Sequence, residues 1–151
     1  MGRMTTTLLA VVVCLLAYAL PASAQQVFAP GRFVIDGIPV SCGPLPTIVT
    51  SSLPDVAMNN GQAILVNASA FFALPTFIKL FIYAHECGHY VVGMSEDGAD
   101  CFATKLGRDQ GWFPPNAFRL LIAAFRDNPG DWTHRPGPAR LRNMTACYQS
   151  P

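Results

Sequence analysis

The sequence predicts an α+β domain, with a small N-terminal antiparallel sheet packed on a helical core. Three observations predict it. Short β-branched runs broken by turn residues fill the stretch from Gln25 to Val66. Phe77–Val92 is then apolar almost without interruption, as in a helix buried on most sides. After it come segments bounded by helix start and stop residues, with no strand pattern. At 151 residues, one domain is the default.

Residues 1–24 read as a secretory signal. Arg3 supplies the positive start, Leu8–Leu20 the apolar stretch, and Ala22-Ser23-Ala24 a small-residue cleavage site before Gln25. An uncleaved N-terminal anchor is the other reading, and a membrane is a partner only in that case. The remaining chain, 25–151, forms the single domain.

Phe33-Val34-Ile35 and Ile38-Pro39-Val40 flank Asp36-Gly37, a hairpin turn signal. Thr47–Thr50 is another strand, Leu53–Gly61 reads as a loop, and Ala63–Val66 is a short apolar strand ended by Asn67. A short helix over Ser69–Leu74 leads to the central one, where Pro75 suits a first helical position. Gly93 suits its C-terminal end. Ser95 is an N-cap for a helix reaching about Arg108. Asn116–Arg126 is a third helix, with Phe118, Leu121, Ile122 and Phe125 on one face. Asn128–Pro138, rich in Gly and Pro, is a loop, and Ala139–Tyr148 is a last helix.

Charge excludes one class of partner. Without Arg3, nine Lys and Arg balance nine Asp and Glu. A neutral chain has no basic surface for nucleic acid.

The central helix carries His85-Glu86-Cys87-Gly88-His89, an H-E-x-x-H pattern. Residues i and i+4 share a helix face, so both imidazoles reach one ion, and Glu86 beside them takes a proton from water. This is the zinc metallopeptidase arrangement, and zinc needs a third protein ligand. Glu96-Asp97-Gly98-Ala99-Asp100 places carboxylates at i and i+4. Glu96 is the expected ligand, with Asp97 and Asp100 as alternatives. Asp100 suits the far nitrogen of a ligating His, which usually has a carboxylate partner. His134, in the Gly/Pro loop, is the remaining histidine, and a loop His can donate to an oxyanion.

These three segments, the last being Thr133-His134-x-Pro136-x-x-x-Arg140, resemble in order those of gluzincin metallopeptidases of the CAAX-prenyl-protease/HtpX type. The resemblance covers roughly Ala63 to Met144. It implies a zincin-like helical core, zinc on His85, His89 and Glu96, catalysis by Glu86, and transition-state stabilisation by His134. It also puts a substrate-binding edge strand at Ala63–Asn67. The chain departs from the family in lacking several membrane spans, and Arg135 stands where Pro usually follows His.

The function expected is zinc-dependent hydrolysis of peptide bonds in an extracytoplasmic protein or peptide. A catalytically silent periplasmic protein that binds metal or a partner on this scaffold is the alternative. Four cysteines outside the signal, Cys42, Cys87, Cys101 and Cys147, suit two disulfides in an exported chain. Cys87 and Cys101 both point away from the metal. A Cys87–Cys101 bond would pin the ligand helices together and leave Cys42–Cys147.

Overall fold

The computed structural model describes residues 25–131 and 134–151. Residues 1–24, expected to be a secretory signal, and Thr133 lie outside the described residues. Among the described residues are six strands and five helices: β1 Gln26–Phe28, β2 Phe33–Ile35, β3 Ile38–Val40, β4 Thr47–Thr50, β5 Ala57–Asn59, β6 Ile64–Asn67, α1 Ala68–Phe72, α2 Thr76–Val92, α3 Glu96–Asp109, α4 Pro115–Phe125 and α5 Gly137–Gln149.

The α+β class holds, but the sheet is not purely antiparallel. One sheet has four strands in the order β1-β4-β6-β5, and β2-β3 form a separate hairpin. β4 and β6 run parallel, with Thr47 opposite Ile64 and Thr50 opposite Asn67. The connection between them carries β5, which folds back antiparallel onto β6. β5 lies inside the stretch expected to be a loop. Its three residues are too few to show an alternating pattern before Asn59, Asn60 and Gly61. The Asn60 side chain then closes the turn, its oxygen accepting the N–H groups of Gln62 and Ala63. β6 is consequently an interior strand, and the edge nearest the H-E-x-x-H helix is β5.

The hairpin turn is as the sequence suggests. Asp36 and Gly37 have φ of 48° and 86°, which a type I′ turn requires at both central residues. The turn is also the anchor for α2. Asp36 Oδ2 accepts from Thr76 Oγ1 at 2.6 Å and pairs with the buried Lys79 Nζ at 2.5 Å. A carboxylate there also complements the positive end of α2.

α2 stands between two apolar clusters. On one side Leu80, Tyr83 and Cys87 pack with Phe33, Ile35, Val49, Ile64, Val66 and Phe71 of the sheet side. On the other, Ile78, Phe81 and Ala84 pack with Ala103, Phe113, Phe118, Leu121 and Met144 of the later helices. Each such large side chain contributes roughly 1.5–3 kcal/mol on full burial, so packing on both flanks holds this helix rather than its modest intrinsic propensity. It ends at Gly93, whose φ of 80° is the conformation a non-glycine residue resists.

The disulfides correct the expected pairing. Cys42 is joined to Cys87, and Cys101 to Cys147. Both α2 and α3 do turn these cysteines away from the face that carries His85, His89 and Glu96, and that is why the two cannot meet. Cys87 faces the sheet side, and Cys101 faces α5. Two bonds of this kind are compatible with an extracellular protein. Among the described residues no helix is long and apolar enough to cross a membrane. The amides of Asn67 and Asn143, in sequences that match glycosylation acceptors, are engaged by the carbonyls of Leu53 and Asp97.

Candidate metal centre

His85 and His89 project from one face of α2, one turn apart. α3 crosses against that face because Gly88 has no side chain: a Cβ there would lie 2.8 Å from Ala99 Cα. The close approach brings the first turn of α3 to the two imidazoles. Ser95 caps that turn, its Oγ accepting the Gly98 N–H.

Backbone and carboxylate acceptors fix the state of both rings. His85 Nδ1–H donates to Asp100 Oδ1 at 2.9 Å. His89 Nδ1–H donates to the Gly93 carbonyl at 3.1 Å. With the proton at Nδ1, each Nε2 presents a lone pair, and the two Nε2 atoms are 3.2 Å apart. Glu96 completes a triangle: Oε2 is 3.2 Å from His85 Nε2, and Oε1 is 3.3 Å from His89 Nε2. Three electron-rich atoms at this spacing repel one another unless a proton or a metal cation lies between them. Donors bound at 2.0–2.1 Å around a tetrahedral ion stand about 3.3 Å apart, which is the spacing found. Glu96 Oε2 is also buried, and neither imidazole nitrogen beside it, of His85 at 3.2 Å or of His134 at 3.3 Å, makes a well-formed hydrogen bond to it. His85, His89 and Glu96 therefore fit a metal ion, and they form the one such group among the described residues.

The remaining carboxylates are placed differently. Asp97 pairs with Arg135 on the surface. Asp100 is fully buried behind His85, held by Arg140 through Nε at 2.8 Å and Nη2 at 2.7 Å. Arg140, from α5, lies with Cζ 5.0 Å from the centroid of the Phe125 ring. His85, Asp100 and Arg140 thus make a buried chain from the ligand to the last helix. The sequence suggested Asp100 as the carboxylate behind a ligating His; the role of Arg140 was carried there only by the motif.

Electrostatics follow from these contacts. Burial disfavours a charged His85, but Asp100 and Glu96 outweigh it and push its pKa up to about 9 in the metal-free chain. Burial likewise opposes charge on Glu96, yet the surrounding histidines hold its carboxyl below the ordinary range. Glu86 moves the other way: burial raises it, partly offset by His85 and by a hydrogen bond from Asn59. A carboxylate raised in this manner is better suited to accept and return a proton than one held low.

Glu86 opens onto a cleft of about 520 Å³, whose lining also includes Met58, Asn59, His89, Met94, Glu96 and His134. A second cavity of about 270 Å³ lies on the opposite side of α2, against Cys87 and Trp112, and touches none of the candidate ligands. His134 reaches the site from its loop, with Nε2 3.3 Å from Glu96 Oε2. Asp131 orients it, accepting the His134 backbone N–H at 2.7 Å and facing Nδ1 at 3.3 Å. Asp131 and Asn59 were not singled out from the sequence. The D-x-x-H spacing could have shown the first. Nothing local marks Asn59, which meets Glu86 from 27 residues away.

Comparison with known proteins adds no relative: no family model matches the chain, and neither a curated protein nor a solved structure does.

Proposed function

We propose that the protein is a zinc-dependent peptidase acting outside the cytoplasm, with a zincin-like core. The convergence of His85 Nε2, His89 Nε2 and the Glu96 carboxylate at 3.2–3.3 Å, with Glu86 at the mouth of the same cleft, carries this reading. The resemblance of the three motifs to gluzincins supports it, and the donor set of two imidazoles and a carboxylate suits zinc among the divalent ions.

When bound, the ion supplies a Lewis acid that polarises a scissile carbonyl and acidifies water. The chain supplies the rest. Glu86 takes the proton of the attacking water and passes it to the departing amine nitrogen. His134, with Nδ1 turned to Asp131, would donate from Nε2–H to the oxyanion that develops on the carbonyl oxygen. A peptide substrate is favoured because β5 is an edge strand beside the cleft, the place where an extended chain adds to a sheet.

The test pairs two variants. Wild type and Glu86→Gln should each hold about one zinc per chain, while Glu86→Gln loses hydrolysis of an unfolded protein substrate. Glu96→Ala should lose the metal. Undiminished turnover in Glu86→Gln would remove Glu86 as the base, and no metal uptake by wild type would remove the whole reading.

One observation favours a silent metal-binding protein instead. His134 Nε2 lies 3.3 Å from Glu96 Oε2, outside the three converging donors but on a loop that could bring it in as a fourth, and structural zinc sites are closed by four protein ligands. His134→Ala separates the two. In the peptidase it should keep zinc and slow turnover by about 10²-fold or more. In the closed site it should weaken zinc binding in a competition titration.

A further inference from the structure

The residue that holds the proposed base lies on the strand the sequence concealed. Asn60 N–H bonds back to the Ala63 carbonyl, and the Val56 carbonyl accepts from Asn67, so alternation along β5 turns the Asn59 N–H outward, away from β6. That N–H donates to Glu86 Oε2 at 2.8 Å. The Asn59 side chain grips the same residue a second time, Nδ2 donating to the Glu86 main-chain carbonyl at 2.8 Å. Its Oδ1 accepts the Gly61 N–H at 2.7 Å, which fixes the amide with Nδ2 toward the helix. Three hydrogen bonds from one residue thus bind the edge strand, its turn and the proposed base.

We propose that Asn59 is a positioning residue for Glu86: its side-chain amide locks β5 to α2 so that its main-chain N–H holds Glu86 Oε2 in place. With Oε2 held, Oε1 is the oxygen that receives the proton of water and returns it to the amine nitrogen. This rests on the peptidase reading for its catalytic consequence, but the clamp itself is independent of it. The clamp leaves the metal alone, because Asn59 touches neither imidazole nor Glu96. A displacement of the base by about 1 Å costs on the order of 10²-fold in rate.

Two measurements on the full chain test it. Amide hydrogen exchange of zinc-loaded protein reads the clamp directly. The Asn59 amide has no strand partner, so Glu86→Ala should speed its exchange by about 10-fold or more while Asn60 is unchanged. Asn59→Ala should do the same at position 59. Kinetics measured well below Tm read the consequence: Asn59→Ala and Asn59→Asp should each lower kcat by roughly 10- to 100-fold, with KM and zinc content near wild type. Unchanged exchange at residue 59 in Glu86→Ala overturns the contact. A rate loss that appears in KM or in zinc content overturns positioning in favour of a structural role. A wild type that hydrolyses nothing ends the peptidase reading, and with it the catalytic role, while the exchange result still decides the clamp.

Discussion

Asp100 is a carboxylate with no access to water, and two partners make that tolerable. Burial works against its charge, but Arg140 and His85 outweigh burial and hold its carboxyl below the ordinary range. The stability it contributes is therefore present above its unfolded value, about 3.9, and is lost as pH falls through the lower folded value. Arg140→Met should strand the carboxylate. A buried charge left without its partner costs about 3–5 kcal/mol. Denaturant titration should show that loss at neutral pH, and the deficit should shrink as pH falls and Asp100 takes up a proton. Behind a ligating imidazole, such a carboxylate also fixes the tautomer, so residues on α3 and α5 determine which nitrogen α2 presents.

Between elements, the contact that matters most for the site is α2 on α3 at Gly88 and Ala99. A methyl group at position 88 would sit 2.8 Å from Ala99 Cα, with backbone rather than a flexible side-chain tip in the way. Gly88→Ala should therefore push the helices apart. About 1–3 kcal/mol of stability should go, as in other overpacked cores, and zinc affinity should fall because Glu96 moves with α3. Equilibrium unfolding and a zinc titration check the two effects together. At this scale the sequence was informative wherever the signal is local. The Asp36-Gly37 turn, the apolar run of α2, the Gly93 stop and the Ser95 cap all lie within a few residues of what they determine. β5 was hidden because three residues beside an Asn-Asn-Gly turn show no alternation. The parallel pairing of β4 with β6 was hidden because strand order depends on what the connecting segment does in space. The two His and Glu96 could be read from spacing, since helix geometry fixes i and i+4. Asn59 could not, because its partner is remote in sequence.

Across the whole molecule, α2 joins a sheet side to a helical side, and each half is closed by its own disulfide. Cys42–Cys87 spans 45 residues and Cys101–Cys147 spans 46. Loops of this length lead to an expected loss of about 2–5 kcal/mol for removal of either bond. Non-reducing peptide mapping should find these two pairs, and Cys101→Ser with Cys147→Ser should lower Tm without changing the zinc-to-chain ratio. A Cys87–Cys101 peptide would contradict the fold, since those side chains leave α2 and α3 in opposite directions.

The order of these two bonds along the chain bears on how the protein is made. They are consecutive rather than nested: among the four cysteines of residues 25–151, Cys42 pairs with Cys87 and Cys101 with Cys147. Were the chain exported from its N-terminus and residues 1–24 removed, Cys42 and Cys87 would both be exposed before Cys101 arrives. Oxidation in order of appearance yields the native connectivity, with no need for bonds to be broken and reshuffled. His89 and Glu96 fall in the short stretch between the two closed loops. Ion capture would then come last in biosynthesis, joining two halves that had already been sealed.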